Sequence, residues 1–413
     1  MKILHVPRRF TRSHWGGTET VILETCKQVL AKGHETRVVT SMALAGSRQE
    51  EIQGVRVERH AYCYPWLGLD DEARRRLDQK GGNLFSLGLM RALKREPGLD
   101  VLHCHTAKRL GGIVRHVARQ RRVPYLVSLH GGLLDVPAEE AATFAEPTKG
   151  KPEWGKALGW WVGSRRVLDD AAAILCLGDE ELRRVQESYP ATRAVKFPNG
   201  VDPARFEAGD GAAFRARHGI DATRRVVLVV GRIDPQKNQR LAALVLGRLR
   251  EAVDAHLVLV GHVTNDAYEA QLRRDIEELR LAPHVTLIPG LSPEGNDLAD
   301  AYHAADVFLL PSIHEPFGIV ILEAWAAGRP VVASRVGGVP SILHDGVEGL
   351  LFESGSEEGA LVALRWVLEE PRRALELGAA GRRKAVEEHS WSSITDRLLQ
   401  LYAEAIRANP PRQ

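Results

Sequence analysis

The sequence predicts an α/β protein built from two doubly wound domains, each with a parallel sheet. Its 413 residues are too many for one ordinary core and suit two or three domains of roughly 150 residues. Short apolar strands alternate with amphipathic helices, which is typical of a parallel sheet covered by helices on both faces. The alternation occurs in two series, separated by a Pro-, Asn- and Gly-containing linker at 196–206.

The first series starts with a strand at 2–6 and an amphipathic helix at 18–34, where Gly33 marks the end of the helix. Its further predicted strands are 36–41, 100–105, 124–131 and 172–178. The predicted strands of the second series are 225–233, 256–262, 284–290, 305–312 and 329–338.

These series predict a first domain over 1–198 and a second over 199–391. A terminal helix is predicted at 390–408, and the segment from about 392 to 413 is expected to pack back on the first domain.

The composition is that of a globular protein, with 44% hydrophobic and 26% charged residues. No apolar run approaches the roughly 18–20 residues of a membrane span, and the opening MKILHVPRRF lacks the features of a signal peptide. The sequence therefore predicts a cytoplasmic protein. Its scattered cysteines, with no metal-type spacing, are predicted to be reduced core residues: Cys26, Cys63, Cys104 and Cys176.

Charge is distributed unevenly along the chain. Residues 1–200 carry 32 Lys and Arg against 23 Asp and Glu, whereas residues 201–413 carry 24 against 30. The basic first half is expected to face an anionic partner. This balance is modest and no recognition module is present, so nucleic-acid binding is not expected.

Neither a G-x-G-x-x-G fingerprint nor a P-loop occurs, so other loops must hold any phosphate. Gly16 and Gly17 follow the first strand and precede a helix, where backbone amides favour an anion. An ordinary turn is the alternative. After the strand at 225–233, Arg232 and Lys237 lie five residues apart on a loop that opens a helix. Two cations beside helix amides suit a diphosphate, and a solvated loop is the alternative.

A third candidate element is the segment 311–324, in which Glu315 lies in a loop and Glu323 lies within the following apolar helix. A carboxylate inside an apolar stretch needs a partner, which a sugar or ribose hydroxyl or an internal Arg would supply.

Taken together, the elements GGTE (16–19), LHG (129–131), FPNGVD (197–202), GRIDPQKN (231–238) and HEPFGIVILEA (314–324) resemble the retaining glycosyltransferases of family four, which have the GT-B fold. The resemblance covers nearly the whole chain. It implies two Rossmann-like domains that face each other across a cleft, with the acceptor bound by the first and the nucleotide sugar by the second.

The resemblance assigns roles to residues of the second domain. Arg232 and Lys237 correspond to the pair that grips the donor pyrophosphate, and Glu323 to the carboxylate that binds the ribose. Glu315 corresponds to the carboxylate that contacts the transferred sugar and supports positive charge at its anomeric carbon. The backbone amides that complete this cradle belong to Phe317, Gly318 and Ile319.

In the first domain, the resemblance places Gly16 and Gly17 on a loop that closes on the phosphate, and His130 near donor sugar and acceptor. A structural histidine at a strand end is the alternative for His130. His103 and His105 alternate along one strand, roughly 7 Å apart on one face. We expect both to line the cleft on the acceptor side; a zinc pair is the alternative, but no third ligand is evident.

The expected reaction transfers a hexose from a UDP-, GDP- or ADP-sugar to a hydroxyl of a sugar, lipid-linked or polysaccharide acceptor, with an α-linked product. No tightly bound cofactor is expected. No D-x-D occurs, so no obligatory metal is expected either, and Arg232, Lys237 and helix dipoles would neutralise the leaving group. The leaving phosphate itself would take the proton.

Rival functions are a GT-B phosphorylase, a nucleotide-sugar epimerase, a sucrose- or trehalose-forming synthase and a sugar binder without activity.

Two surfaces of the first domain have alternative interpretations. A basic stripe on the helix at 108–122 predicts a solvated face, contact with an anionic membrane or contact with a charged acceptor, and it comprises Lys108, Arg109, Arg115, Arg119 and Arg122. An inserted segment at 136–160 and the residue that follows it carry aromatic side chains that would stack on sugars or pack in the core: Trp154, Trp160 and Trp161.

Overall fold

The computed structural model describes residues 1–79, 81–131, 146–291 and 295–409. The chain divides into two compact units. The first contains Met1–Pro198 and Ile394–Gln413, and the second contains Asn199–Ser393. Each unit is an α/β domain built on its own sheet.

The first unit has an eight-stranded sheet with the order β3-β4-β2-β1-β5-β6-β7-β8, parallel except for the β3–β4 pair. Its strands are β1 (Lys2–Val6), β2 (Glu35–Ser41), β3 (Gln49–Ile52), β4 (Val55–His60), β5 (Val101–Cys104), β6 (Tyr125–Ser128), β7 (Ala173–Cys176) and β8 (Ala194–Lys196). Its α-helices are α1 (Gly17–Ala31), α2 (Asp71–Gln79), α3 (Leu87–Arg95), α4 (Lys108–Arg121), α5 (Lys156–Val162) and α6 (Asp179–Ser188), with 3-10 turns at Arg12–His14, Glu146–Thr148 and Ser164–Arg166.

The second unit has a six-stranded parallel sheet with the order β11-β10-β9-β12-β13-β14. Its strands are β9 (Arg225–Val230), β10 (Ala255–Val260), β11 (Val285–Ile288), β12 (Val307–Leu310), β13 (Val331–Ser334) and β14 (Leu350–Phe352). Its α-helices are α7 (Pro203–Glu207), α8 (Gly211–Arg217), α9 (Gln239–Leu249), α10 (Asp266–Glu278), α11 (Asp297–Ala304), α12 (Ile319–Ala326), α13 (Glu357–Glu369) and α14 (Pro371–Glu387), with 3-10 turns at Ala282–His284 and Val339–Ser341. The final helix, α15 (Trp391–Ala408), belongs to the first unit from Ile394 onward.

Every strand predicted from the sequence is present, generally with shorter bounds. Four strands were not predicted from the sequence: β3, β4, β8 and β14. β3 and β4 form an antiparallel pair at the sheet edge, where exposed charged residues alternate with buried ones and interrupt the apolar pattern. β8 and β14 have three residues each. β8 forms the edge of the first sheet opposite β3, and β14 forms the edge of the second sheet opposite β11.

The central strands are buried on both faces, as expected for parallel strands covered by helices. No helix in the described part of the chain is long and apolar enough to cross a membrane. All four cysteines are free thiols. Cys26, Cys104 and Cys176 are buried as predicted. The prediction of a core position for Cys63 is wrong, because Cys63 is exposed.

The two loops that leave β9 and β10 touch at the backbone. A Cβ atom on Gly261 would lie 1.8 Å from the carbonyl oxygen of Gly231, so only glycine allows this approach. The contact sets the position of the loop that carries Arg232 and Lys237.

We expect Gly261→Ala to destabilise the second unit by about 1–3 kcal/mol, because the backbone must shift to accept the methyl group. Gly247→Ala is the matched control, since Gly247 lies within α9 and its added Cβ would meet only Leu281, at 3.9 Å. The control should be neutral or stabilising because alanine favours helix. Urea unfolding of both variants measures the difference, and equal effects would contradict the proposed backbone contact.

Candidate active site

The strand order of the second sheet reverses direction between β9 and β12, which are adjacent. At such a switch point the following helices go to opposite faces and leave a crevice beyond the carboxyl ends of the strands. The loop after β9 carries Arg232 and Lys237, and the loop after β12 carries Glu315. Topology therefore brings together two sequence elements that are nearly eighty residues apart.

Polar contacts fix these two loops to each other. The backbone N–H of Ile313 donates to the carbonyl of Gln236 over 2.8 Å, and the side-chain amide of Gln236 donates to the carbonyl of His314 over 3.1 Å. Within the first loop, the Gln239 amide donates to the Arg232 carbonyl over 2.7 Å. The two glutamines do not belong to the predicted site, although the segment containing them does.

Lys237 and Glu315 form an ion pair, with 2.5 Å between Nζ and Oε2. Glu315 is buried, and its carboxylate also accepts a long hydrogen bond of 3.5 Å from the Ser312 hydroxyl. A buried carboxylate requires such a partner. An ammonium group has three donors, so Lys237 can hold Glu315 and still donate to an anionic oxygen.

Arg232 lies beside this pair on the more open side of the loop. Its side chain is about half exposed, at 53%, and donates to the Gln236 side-chain oxygen over 3.0 Å. It also pairs with Asp234 at 3.2 Å. The guanidinium is thus oriented by two neighbours while part of it faces solvent, where it can bind a phosphate.

Glu323 lies on the second turn of α12, and its hydrogen-bond partner is Tyr302 of α11. The Tyr302 hydroxyl donates to Glu323 Oε2 over 2.8 Å. Burial raises the pKa of Glu323, while the Tyr302 hydrogen bond and the positive charge of Arg205 oppose that rise. The partner that the sequence analysis required for this carboxylate is therefore Tyr302, an aromatic residue with no distinguishing local pattern.

The amino end of α12 has glycine at its N-cap, with Gly318 at φ 90° and without a side-chain cap. This conformation favours glycine, and the first amides of the helix stay available to an anion. Gly337 and Gly338 cover the other side, since Cβ atoms there would lie 2.2 Å and 2.1 Å from the carbonyl oxygens of Glu315 and Pro316. The prediction from the sequence placed both glycines at the end of the strand 329–338; their pairing in RVGG is a local signal that could have marked this contact.

The first sheet reverses its order between β1 and β5, and a cluster of histidines lies at that point. His5 is directly opposite His103 in the strand pairing. His5 Nδ1 lies 2.9 Å from His105 Nε2, and His105 Nδ1 lies 2.8 Å from His130 Nε2. The structure thus brings the predicted residues His103, His105 and His130 together, and adds His5, which the sequence analysis treated only as part of a strand.

His103 has different surroundings from His105 and His130. It is buried, and its two ring nitrogens contact the Tyr402 hydroxyl at 2.5 Å and the Ser128 hydroxyl at 2.8 Å. His105 and His130, in contrast, line a cavity of about 220 Å³ together with Arg8, Thr18 and Lys108.

Burial makes the four imidazoles weak bases. It lowers the pKa of His5 to about 3 and that of His130 to about 4. Burial and neighbouring histidines hold the pKa values of His103 and His105 well below the usual range. The cluster is therefore neutral near pH 7.

Gly16 and Gly17 lie at the start of α1, as predicted. The Gly16 amide donates to the carboxylate of Glu19 over 3.1 Å, so this amide has a partner within the helix start. Thr18, the next residue after the glycines, lines the same cavity as His130. The glycine loop and the histidine cluster are thus neighbours in the first unit.

The predicted basic stripe on α4 is not a continuous exposed surface, so that prediction is wrong. Arg109 is buried against Glu153, and Arg115 is buried against Asp170. The cause is compensation of their charge by acidic residues from later segments. By contrast, the Trp residues near α5 are exposed, with Trp160 at 86%, so core packing does not account for that residue. Residues 136–145 of the predicted insertion lie outside the described residues.

Comparisons with known proteins agree with this architecture. The family model described as Glycosyl transferase 4-like domain matches residues 16–200, and that described as Glycosyl transferases group 1 matches residues 210–384. A D-inositol 3-phosphate glycosyltransferase of Kineococcus radiotolerans is 31% identical over 95% of this chain and 91% of its own length. The chain belongs to glycosyltransferase family four. A Mycobacterium tuberculosis enzyme of the same name is 32% identical to this glycosyltransferase, over 95% of the chain and 79% of the relative.

Solved structures show the same GT-B fold at lower identity. Sucrose-phosphate synthase from Thermosynechococcus elongatus aligns with a TM-score of 0.72 and 20% identity, over 98% of this glycosyltransferase and 99% of that chain. HepE from Anabaena in complex with UDP-glucose aligns with a TM-score of 0.71 and 17% identity, over 98% and 100% of the two chains.

The neutral histidines predict a loss of stability in acid. An unfolded histidine takes up a proton below about pH 6.5, whereas the folded cluster resists protonation down to about pH 4 or lower. Because the unfolded state then binds more protons, the free energy of unfolding falls as the pH decreases through this window. Each fully resistant histidine contributes a slope of about 1.4 kcal/mol per pH unit.

His5→Phe should therefore flatten the pH dependence between pH 6.5 and 4 by about one histidine's slope. Leu4→Ala is the control, because it removes a buried neighbour that does not titrate and should lower stability equally at every pH. The pH dependence of the free energy of unfolding is measured for both variants by urea unfolding, which is monitored by hydrogen exchange in peptides covering β1 and β5. Identical slopes in His5→Phe and the native chain would contradict a neutral buried His5.

Proposed function

We propose that this glycosyltransferase transfers a hexose from a nucleoside-diphosphate sugar to an acceptor hydroxyl, with retention of the anomeric configuration. The observation that carries the proposal is the ion pair between Lys237 and the buried Glu315, beside the open amino end of α12 at the switch point of the second sheet. This arrangement offers cations to a diphosphate and a carboxylate to the sugar attached to it.

The second unit would bind the donor. Arg232 and Lys237 would hold the pyrophosphate with the amides of Phe317, Gly318 and Ile319, and Glu323 would accept hydrogen bonds from the ribose hydroxyls. We infer that the base is uracil, because HepE, which shares the fold, is described in complexes with UDP and UDP-glucose. All of these groups belong to the protein, so the proposal requires no metal.

In the proposed mechanism, the bond between the anomeric carbon and the phosphate oxygen breaks first, and both electrons leave with the diphosphate. Lys237, Arg232 and the helix dipole stabilise the added negative charge. The carboxylate of Glu315 supports the positive charge on the sugar. The acceptor hydroxyl attacks from the face that the diphosphate leaves, and its proton passes to the departing phosphate oxygen.

The first unit would bind the acceptor. The cavity beside His130 carries Arg8 and Lys108, which suits an acceptor with an anionic group. The relatives are named D-inositol 3-phosphate glycosyltransferase, and the inositol phosphate in that name carries an anionic group. A second candidate is a sucrose-phosphate-type synthase, favoured by the fold match to that enzyme. Contact with an anionic membrane stays a prediction, for which the exposed Trp160 is a candidate anchor.

Calorimetric titration of UDP, GDP and ADP, each with and without EDTA, tests the donor site. We expect UDP to bind at micromolar concentration and EDTA to have no effect. The corresponding sugar nucleotide, incubated with sugar phosphates as acceptors, should then give an α-linked product by proton NMR. A β-linked product would refute retention, and a folded protein that binds no nucleotide would refute the donor site.

Glu315→Ala should reduce turnover by about 10²–10³-fold, the loss typical of a group that stabilises charge in the transition state. UDP affinity should be preserved or improved, because Lys237 is then free to donate to the diphosphate. Glu353→Ala is the control, since that carboxylate is largely exposed and pairs with Arg335. The readouts are kcat and calorimetric UDP affinity. Equal losses in both for Glu315→Ala would refute its role on the sugar.

A further inference from the structure

The histidine cluster of the first unit has a directional geometry that the family assignment does not specify. His5, His105 and His130 follow one another through two ring-to-ring hydrogen bonds of 2.9 Å and 2.8 Å. Consecutive rings are nearly parallel, with interplanar angles of 16° and 25°. We call these three residues the imidazole chain.

A neutral imidazole has one N–H and one lone pair. The imidazole chain can therefore be protonated in two ways. Either each ring carries its proton on Nδ1 and donates towards His130, or each ring carries it on Nε2 and donates towards His5. The first arrangement presents an N–H at His130 Nδ1, and the second presents a lone pair there.

The buried end of the chain decides between them. His5 is completely buried, and among the residues that the structure describes its Nε2 has no hydrogen-bond partner. The Nε2-protonated arrangement would place an N–H at this atom without an acceptor, and buried N–H groups without partners are the rarer defect in proteins. The Nδ1-protonated arrangement leaves only a lone pair there, which surrounding C–H groups can cover.

We propose that the imidazole chain is polarised from its buried end, so that His130 presents a fixed Nδ1–H donor to the cavity and binds an oxygen of the substrate. This inference rests on the proposed function. It gives His130 the role of a hydrogen-bond donor, and excludes it as the base that deprotonates the acceptor. His5 and His105 are positioning residues that act through His130.

His103 provides an internal reference of opposite tautomer. The Tyr402 hydroxyl is fully buried and contacts His103 Nδ1, so it satisfies its own O–H by donating to that nitrogen. His103 must then carry its proton on Nε2 and donate to the Ser128 hydroxyl. The cluster should contain three Nδ1–H rings and one Nε2–H ring.

A metal centre is the competing use of these side chains, because ligand atoms of His5, His103 and His105 lie within 4.8 Å of one another. Both nitrogens of His103 and both of His105 already have hydrogen-bond partners, however. An ion would have to displace several of these bonds, and two of the three rings, those of His5 and His103, are buried. The imidazole chain accounts for the same contacts without that loss.

The decisive measurement is the tautomeric state of the four rings, read from long-range nitrogen–proton correlation spectra of the ¹⁵N-labelled full chain at pH 7.5. We expect Nδ1–H at His5, His105 and His130, and Nε2–H at His103. Nε2–H at His130 would overturn the proposal. So would stoichiometric zinc in the purified chain that coordinates His5, His103 and His105.

Two substitutions at His5 test control from the buried end. His5→Asp supplies a carboxylate that accepts from His105 Nε2–H, as aspartate does in an Asp–His pair, and should convert His130 to Nε2–H. His5→Phe supplies no acceptor and should leave Nδ1–H at His105 and His130. The transfer rate of His5→Asp should be about tenfold below that of His5→Phe, the effect of one hydrogen bond, with equal UDP affinity.

The spectra separate this inference from the proposed function. If the predicted tautomers are found but no nucleotide sugar supports transfer, the proposed function is refuted and the polarity of the imidazole chain stands. Conversely, transfer by a native protein whose His130 is Nε2–H would overturn the inference alone. Equal transfer rates in the two His5 variants, despite opposite tautomers, would overturn the role of the His130 donor.

Discussion

The reversal of strand order at one point in each sheet is the constraint on which the candidate sites depend. Right-handed crossovers on the two sides of the reversal place the following helices on opposite faces of the sheet. The carboxyl ends of the two central strands are then left uncovered. In the second unit this point lies between β9 and β12 and carries Lys237 and Glu315. In the first unit it lies between β1 and β5, where His5 and His103 are directly opposite each other.

The two units meet the cost of burying polar groups at these points in different ways. The second unit keeps a buried carboxylate and places a lysine against it, because an unpaired buried charge is unfavourable. The first unit keeps its histidines neutral, with burial lowering their pKa values and hydrogen bonds joining the rings. A paired charge suits binding of a charged diphosphate. A neutral, directional set of imidazoles suits recognition of a substrate oxygen without adding charge.

Local sequence patterns predicted the central strands and revealed the family motifs. They did not predict edge strands with interrupted apolar patterns, or contacts between residues that are distant in sequence. β3 and β4 were missed because charged residues interrupt their apolar pattern at the sheet edge. The basic stripe on α4 was wrong because the partner of Arg115, Asp170, lies 55 residues later in the chain. Tyr302 could not be predicted as the partner of Glu323, since the spacing between them carries no local signal.

The sequence by itself determined the alternation of strands and helices, the division into two series, and the residue types on the loops after the strands. These properties depend on neighbours within a few turns, so periodicity and spacing reveal them. Only the tertiary structure decided the partners: Lys237 with Glu315, and His5 with His105. Such pairs depend on strand order and register between segments about eighty to a hundred residues apart, and no local pattern encodes which strands become adjacent.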